Sequence, residues 1–108
     1  MSIKSINPVN QEILKTYEPL TDEEVTKRLE ISHERFKEMK AAGKKGIEQR
    51  LEKIEGMAKY MEKERETIAI LLSKEVGKPL PEGRGEIDKC ISFCRYYVKN
   101  ALKYVVDE

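Results

Sequence analysis

The sequence predicts an α+β fold dominated by helix, in which a short amino-terminal β-hairpin is followed by three or four packed helices. Three observations predict it. The first twenty residues alternate apolar and polar side chains around a turn at Asn7-Pro8-Val9-Asn10. From Thr21 onward, apolar residues recur at the helical period. The stretch Glu75-Val76-Gly77-Lys78-Pro79 then breaks that pattern, and the longest stripe in the chain begins after it.

Ile3 to Ile6 and Ile13 to Tyr17 read as the two strands. In the second, Ile13, Lys15 and Tyr17 alternate with Leu14 and Thr16. A two-stranded hairpin is marginal alone, so it must lean on another element. Thr21-Asp22-Glu23-Glu24 is a capping box, in which the Thr21 hydroxyl takes an amide of the first turn and Glu24 reaches back, while the three acids oppose the positive helix end. The helix that follows carries Val25, Leu29, Ser32, Phe36 and Met39 or Lys40 on one stripe that faces a core, and Ala41-Ala42-Gly43 closes it. Gly43 to Gly46 reads as a short connecting loop. Ile47, Leu51, Ile54, Met57 or Ala58, and Met61 mark the next helix, which Gly56 weakens without ending. Ile68, Leu71, Leu72 and Val76 resume the period in a shifted phase, which predicts a bend near Lys63 or a separate third helix.

Gly77 suits the left-handed residue that ends a helix, and Pro79 and Pro81 forbid continuation. Beyond this joint, Ile87, Cys90, Ile91, Cys94, Val98, Ala101 and Val105 form the cleanest stripe, predicting the central core helix. Residues 1 to 20 are thus the hairpin and residues 21 to 108 the helical region.

A chain of 108 residues is long enough to bury about two-thirds of the surface its unfolded form exposes. Its 21 basic and 20 acidic side chains nearly cancel, which leaves no field of one sign to attract nucleic acid or an anionic membrane. No apolar run approaches the roughly 20 residues of a membrane span. The Met-Ser-Ile-Lys start lacks the apolar core of a signal peptide, so a cytoplasmic location is expected.

Residue chemistry alone points to no reaction. His33, the single histidine, has no serine or cysteine beside it at any legible spacing. Cys90 and Cys94 lie one helical turn apart on the apolar stripe and read as two buried thiols, since no histidine or further cysteine completes a metal site. Gly83-Arg84-Gly85-Glu86 is too short for a dinucleotide fingerprint and follows a proline turn. Gly43 to Gly46 lacks both the strand before and the Ser or Thr after that a phosphate loop needs. The carboxylates around Glu34 and Glu38 read as solvated partners of Arg35 and Lys37.

Function enters through a resemblance. Glu75-Val76-Gly77-Lys78-Pro79, Arg84-Gly85-Glu86-Ile87 and Arg95-Tyr96-Tyr97 resemble the amino-terminal region of the NAD(P)-dependent aldehyde dehydrogenase superfamily. Upstream, Ile6-Asn7-Pro8-Val9-Asn10-Gln11-Glu12-Ile13 resembles that family's Asn-Pro hairpin. Thr21 to Phe36 resembles its first helix, and Glu48-Gln49-Arg50 the start of its second. The likeness covers essentially the whole chain and is closest in flavour to enzymes oxidising succinate semialdehyde and related small aldehydes. Two positions depart from the pattern. Gln11 stands where the family usually has Gly, which would force Asn10 into the strained position of the turn, and Met39 stands where an aromatic is common.

The resemblance implies a parent enzyme that oxidises an aldehyde to an acid with NAD or NADP. Its cysteine nucleophile, glutamate base and cofactor-binding sheet all come after the region resembled here. By that alignment Cys90 and Cys94 are not the nucleophile, and the chain is a partial domain that holds no cofactor and catalyses nothing alone. One carry-over is implied residue by residue: a monovalent cation held by backbone carbonyls at Ser5 and Ile6 and by the Glu75 carboxylate. The expected partner is the remainder of the enzyme. The alternative is a stand-alone helical interaction module that self-associates through exposed helix faces.

Overall fold

A computed structural model describes residues 1–105. The final part of the predicted helical region, residues 106–108, lies outside the described residues. Two strands, β1 (Ile3–Ile6) and β2 (Ile13–Tyr17), precede four helices: α1 (Asp22–Ala41), α2 (Gly43–Lys63), α3 (Arg65–Val76) and α4 (Leu80–Tyr104). The predicted fold class is therefore the observed one.

The strands pair antiparallel, with Ile3 opposite Tyr17, Lys4 opposite Thr16, Ser5 opposite Lys15 and Ile6 opposite Ile13; the register shifts between Ser5 and Ile6. Asparagine side chains build the turn. Asn7 Oδ1 accepts from the Val9 amide at 2.9 Å and Asn10 Oδ1 from the Glu12 amide at 3.1 Å. The left-handed residue is Gln11, with φ at 63°, and not Asn10 as the sequence reading expected. The reason lies in the hydrogen bonds. Asn10 reaches forward to Glu12 through its side chain, while the Gln11 amide donates back to Asn7 O at 2.9 Å, so the reversal of direction falls on Gln11.

Thr21 opens α1 with the expected capping box: its hydroxyl accepts from the Glu24 amide at 3.2 Å, and its own amide donates to Glu24 Oε2 at 2.8 Å. The apolar stripe of α1 meets no core, because the helix has no buried residue and Leu29 and Phe36 stay 66% and 57% exposed. That corrects the expected packing of this face.

The connection from α1 to α2 is tighter than predicted. Gly43 to Gly46 is not a loop but the first turn of α2, and the chain turns at Ala42 and at Gly43, whose φ is 55°. Gly46 permits this: a Cβ there would stand 2.8 Å from Ala42 Cβ and 3.0 Å from Met39 O. The shifted phase after Lys63 does mark a separate helix, since α2 ends at Lys63 and α3 starts two residues later. Gly77 closes α3 in the left-handed conformation, φ 71°, and Ser73 Oγ donates to Lys78 O at 2.7 Å across the joint. Pro79 is extended at the start of α4, and Pro81 occupies the first turn, where no amide donor is needed.

The core sits where α2, α3 and α4 meet. Ala58, Ala69, Ile87 and Ile91 are buried, with Met61, Ile68, Leu72, Leu80 and Cys94 packed around them. Each of the two isoleucines contributes about 1.5–3 kcal/mol by burial. Helix α4 is the central one, as its stripe predicts.

Candidate functional site

Of the residues that carry the family resemblance, those from Gly77 to Arg95 lie on α4 and its joint with α3, and several of them make contacts that hold the helices together. Arg84 grips Glu66 of α3 through two nitrogens, at 2.9 and 2.7 Å. Arg65 of α3 grips Asp88 of α4 in the same way, at 2.6 and 2.7 Å. Arg95 holds both oxygens of Glu62 on α2, with its Nη2 2.7 Å from Oε2, and lies 3.7 Å from Glu55. Lys78 in the joint meets Glu86 at 2.9 Å. Ile87 is in the core. Three forked guanidinium–carboxylate pairs thus fix α4 against α2 and α3.

These pairs shift the groups that form them. The hydrogen bonds from Arg95, Arg84 and Arg65 hold the carboxyls of Glu62, Glu66 and Asp88 below their ordinary values. The same bonds raise the three guanidinium groups.

At the other side of the joint lies the hairpin. Strand β1 packs on α3, and the position a Gly77 Cβ would take is 3.1 Å from Pro8 Cγ, so only a glycine allows the turn this close. A shallow groove lined by Asn7, Val9, Ile70, Ser73, Lys74 and Leu80 separates the turn from the joint. Ser5 is half-buried on β1, Ile6 follows the register shift, and Glu75 is exposed on the last turn of α3. Glu75 makes no ion pair among the described residues, with neighbouring lysines or otherwise.

The two thiols differ in burial. Cys94 packs against the core, as read from the sequence, but Cys90 is exposed, which corrects the expectation of two buried thiols. A stripe four residues apart drifts around the helix, and Cys90 falls on its solvent side. His33 is exposed on α1 and stacks on Phe36 with ring centroids 6.3 Å apart. Among the described residues, no three His, Cys, Asp or Glu side chains come together as metal ligands.

The tyrosines at 96, 97 and 104, whose helical spacing reads as core and rim, instead form part of an exposed second face of α4. Phe93, Tyr96 and Tyr97 stand half exposed on its outer side, with Lys89 Nζ 5.9 Å from the Phe93 centroid and the rings of Tyr96 and Tyr97 edge to face at 5.2 Å. Tyr96 and Tyr104 share a 2.6 Å hydrogen bond, which raises the Tyr96 phenol above its usual value. Spacings of four, seven and eight from residue 89 contained this signal, overshadowed by the core stripe on the same helix.

Hairpin, joint and clasped helix are thus in place, and comparison with known proteins says what they are similar to. The model of the aldehyde dehydrogenase family matches residues 1–107. The chain belongs to the aldehyde dehydrogenase family. Over all 108 residues it is 32% identical to succinate-semialdehyde dehydrogenase [NADP(+)] of Mycobacterium avium (strain 104), covering 22% of that protein. It is 30% identical to probable succinate-semialdehyde dehydrogenase [NADP(+)] of Synechocystis sp., covering 23% of it. Identity to succinate-semialdehyde dehydrogenase [NADP(+)] 1 of Mycobacterium tuberculosis (strain ATCC 25618 / H37Rv) is 32%, again over 23% of the relative. The chain therefore spans less than a quarter of the length of these relatives, their amino-terminal part. No helix among the described residues is long and apolar enough to cross a membrane.

Proposed function

We propose that this chain is the hairpin and helical segment of an NADP-dependent, cytoplasmic succinate-semialdehyde dehydrogenase, and that by itself it turns over no aldehyde. The observation that carries the reading is the match of the whole chain to the amino-terminal part of enzymes with that name. The geometry supports it, because Lys78, Arg84 and Arg95 of the stretches that resemble the family pair with carboxylates that hold the joint and α4 in place. In the parent reaction a thiol would attack the aldehyde, hydride would pass to NADP+, and water would release the acid. This segment's part is to hold the scaffold on which those groups are mounted, and its partner is the remainder of the enzyme.

The same reading gives Ser5, Ile6 and Glu75 a monovalent cation. The fit is supported by an all-oxygen donor set, as hard cations take, by the packing of β1 on α3, and by the unpaired Glu75 carboxylate.

A chimera tests the function. The aligned amino-terminal part of the Mycobacterium tuberculosis relative is replaced by residues 1–107, and NADPH formation from succinate semialdehyde is followed. Turnover by the chimera, and none by the 108-residue chain alone, is expected. A folded but inactive chimera, or turnover by the chain alone, sinks the proposal. Self-association is the second reading, favoured by the uncovered stripe of α1. A tight dimer in sedimentation, lost on Phe36→Ser, would establish it.

A further inference from the structure

The junction of α1 and α2 faces the end of α4 across a groove of about 540 Å³. Met39, Ile47 and Leu102 give it an apolar floor, and Lys40, Lys44 and Arg50 its charged rim, with no carboxylate in the lining. None of the three cations makes an ion pair among the described residues. In a chain whose 21 basic and 20 acidic groups nearly cancel, and whose other arginines are mostly clasped, that concentration of free positive charge is local and one-sided.

From this complementarity we infer that the groove binds a soluble carboxylate with a medium-length aliphatic tail, a free fatty acid in chemical class. The tail lies on Met39, Ile47 and Leu102, and the carboxylate meets the three cations, with Arg50 able to donate two parallel hydrogen bonds to it. Size selects this occupant over a protein partner. The volume lies within the roughly 300–1,000 Å³ of small-molecule sites, whereas a standard protein interface covers about 800 Å² on each side. The inference does not rest on the proposed role in aldehyde oxidation, although Arg50 belongs to the Glu48-Gln49-Arg50 stretch that resembles the family, because it is argued from the volume, apolar floor and charge of the groove alone.

Calorimetric titration of the 108-residue chain tests it, with hexanoate, octanoate and decanoate below their micelle-forming concentrations and decanol as the uncharged comparison. Affinity is expected to rise about fourfold per methylene, the gain from burying one CH2 group. Decanol, Lys44→Glu and Arg50→Glu should each bind about tenfold more weakly or worse. Both substitutions alter exposed, unpaired side chains, and circular dichroism checks that the helices persist. Tyr97→Ser, on the aromatic face of α4, should leave binding unchanged. Equal affinity for decanol and decanoate, or equal loss with Tyr97→Ser, would show nonspecific apolar adsorption and overturn the inference. Binding to phosphatidylglycerol vesicles or to an acidic, apolar peptide without binding of decanoate would overturn it too.

Discussion

Gly46 and Gly56 stand on the same helix, yet replacing each by alanine has opposite consequences. Around Gly56 nothing lies within 4 Å of an added Cβ, so Gly56→Ala adds helix propensity at no steric cost and should stabilise the chain by about 1 kcal/mol. At Gly46 the new Cβ would stand 2.8 Å from Ala42 Cβ and 3.0 Å from Met39 O, neither of them the end of a flexible side chain. Gly46→Ala should therefore cost about 1–3 kcal/mol as α1 is pushed from α2. Urea unfolding midpoints moving in opposite directions are the expected result, and a rise in both would refute the close approach. Gln11 offers a third site. Its φ of 63° costs a side-chain-bearing residue about 1–2 kcal/mol, which outweighs the 3.2 Å bond from Gln11 Nε2 to Pro8 O at an exposed position. Gln11→Gly should raise stability by up to about 1 kcal/mol and slow exchange of the Asn7 amide, which closes the hairpin turn on Glu12 O. The sequence showed that some residue of this turn must be left-handed. Which residue depends on where the Asn10 side chain finds its partner, and that is a fact of three dimensions.

At the scale of the element, α4 is docked by charge as much as by its apolar stripe. Because Glu62, Glu66 and Asp88 have carboxyls held low by their arginines, their contribution to folding is fully present above the ordinary carboxylate range, near pH 4. It is lost as pH falls through that range toward the depressed values of the folded state. Arg95→Gln should thus lower the unfolding midpoint at neutral pH, and the gap between variant and parent should close on acidification. A gap that stays constant down to pH 3 would show that Arg95 acts by packing of its stem alone. Screening works in the same direction, so added salt should narrow the gap at neutral pH as well, since all these groups face solvent. The capping box, the joint at Gly77 and the helix positions apart from the start of α2 were legible, because they are set by local spacing and by residues with special backbones. The partners of Arg84 and Arg95 were not, because a guanidinium on one helix and a carboxylate on another leave no mark in spacing. The resemblance pointed to these arginines as words, and packing supplied their meaning.

For the molecule as a whole, the decisive observation is how little of it is compact. Its radius of gyration is 18.3 Å, where about 13 Å is usual for a compact chain of this length. Its accessible surface is 8896 Å², against about 6,200 Å² for a compact monomer of this mass. Much of the excess belongs to α1, whose stripe of Val25, Leu29, Phe36 and Met39 was readable from periodicity while its lack of a covering layer was not. Periodicity reports that a face is apolar and says nothing of what lies on it. It follows that α1 is held in the isolated chain mainly by its own hydrogen bonds and by the Thr21 capping box, and α3 and α4 by the shared core. Amides in the middle of α1 should exchange with solvent water far faster than those near Ile87 and Ile91. Thr21→Ala, costing about 1 kcal/mol of helix stability, should speed α1 several-fold further and leave α4 untouched. In the chimera, where the rest of the enzyme is present, α1 should become as protected as α4 and insensitive to the cap. Uniform protection of all four helices in the chain alone would mean that the apolar face of α1 is already covered, by a second copy, and sedimentation would then show the dimer.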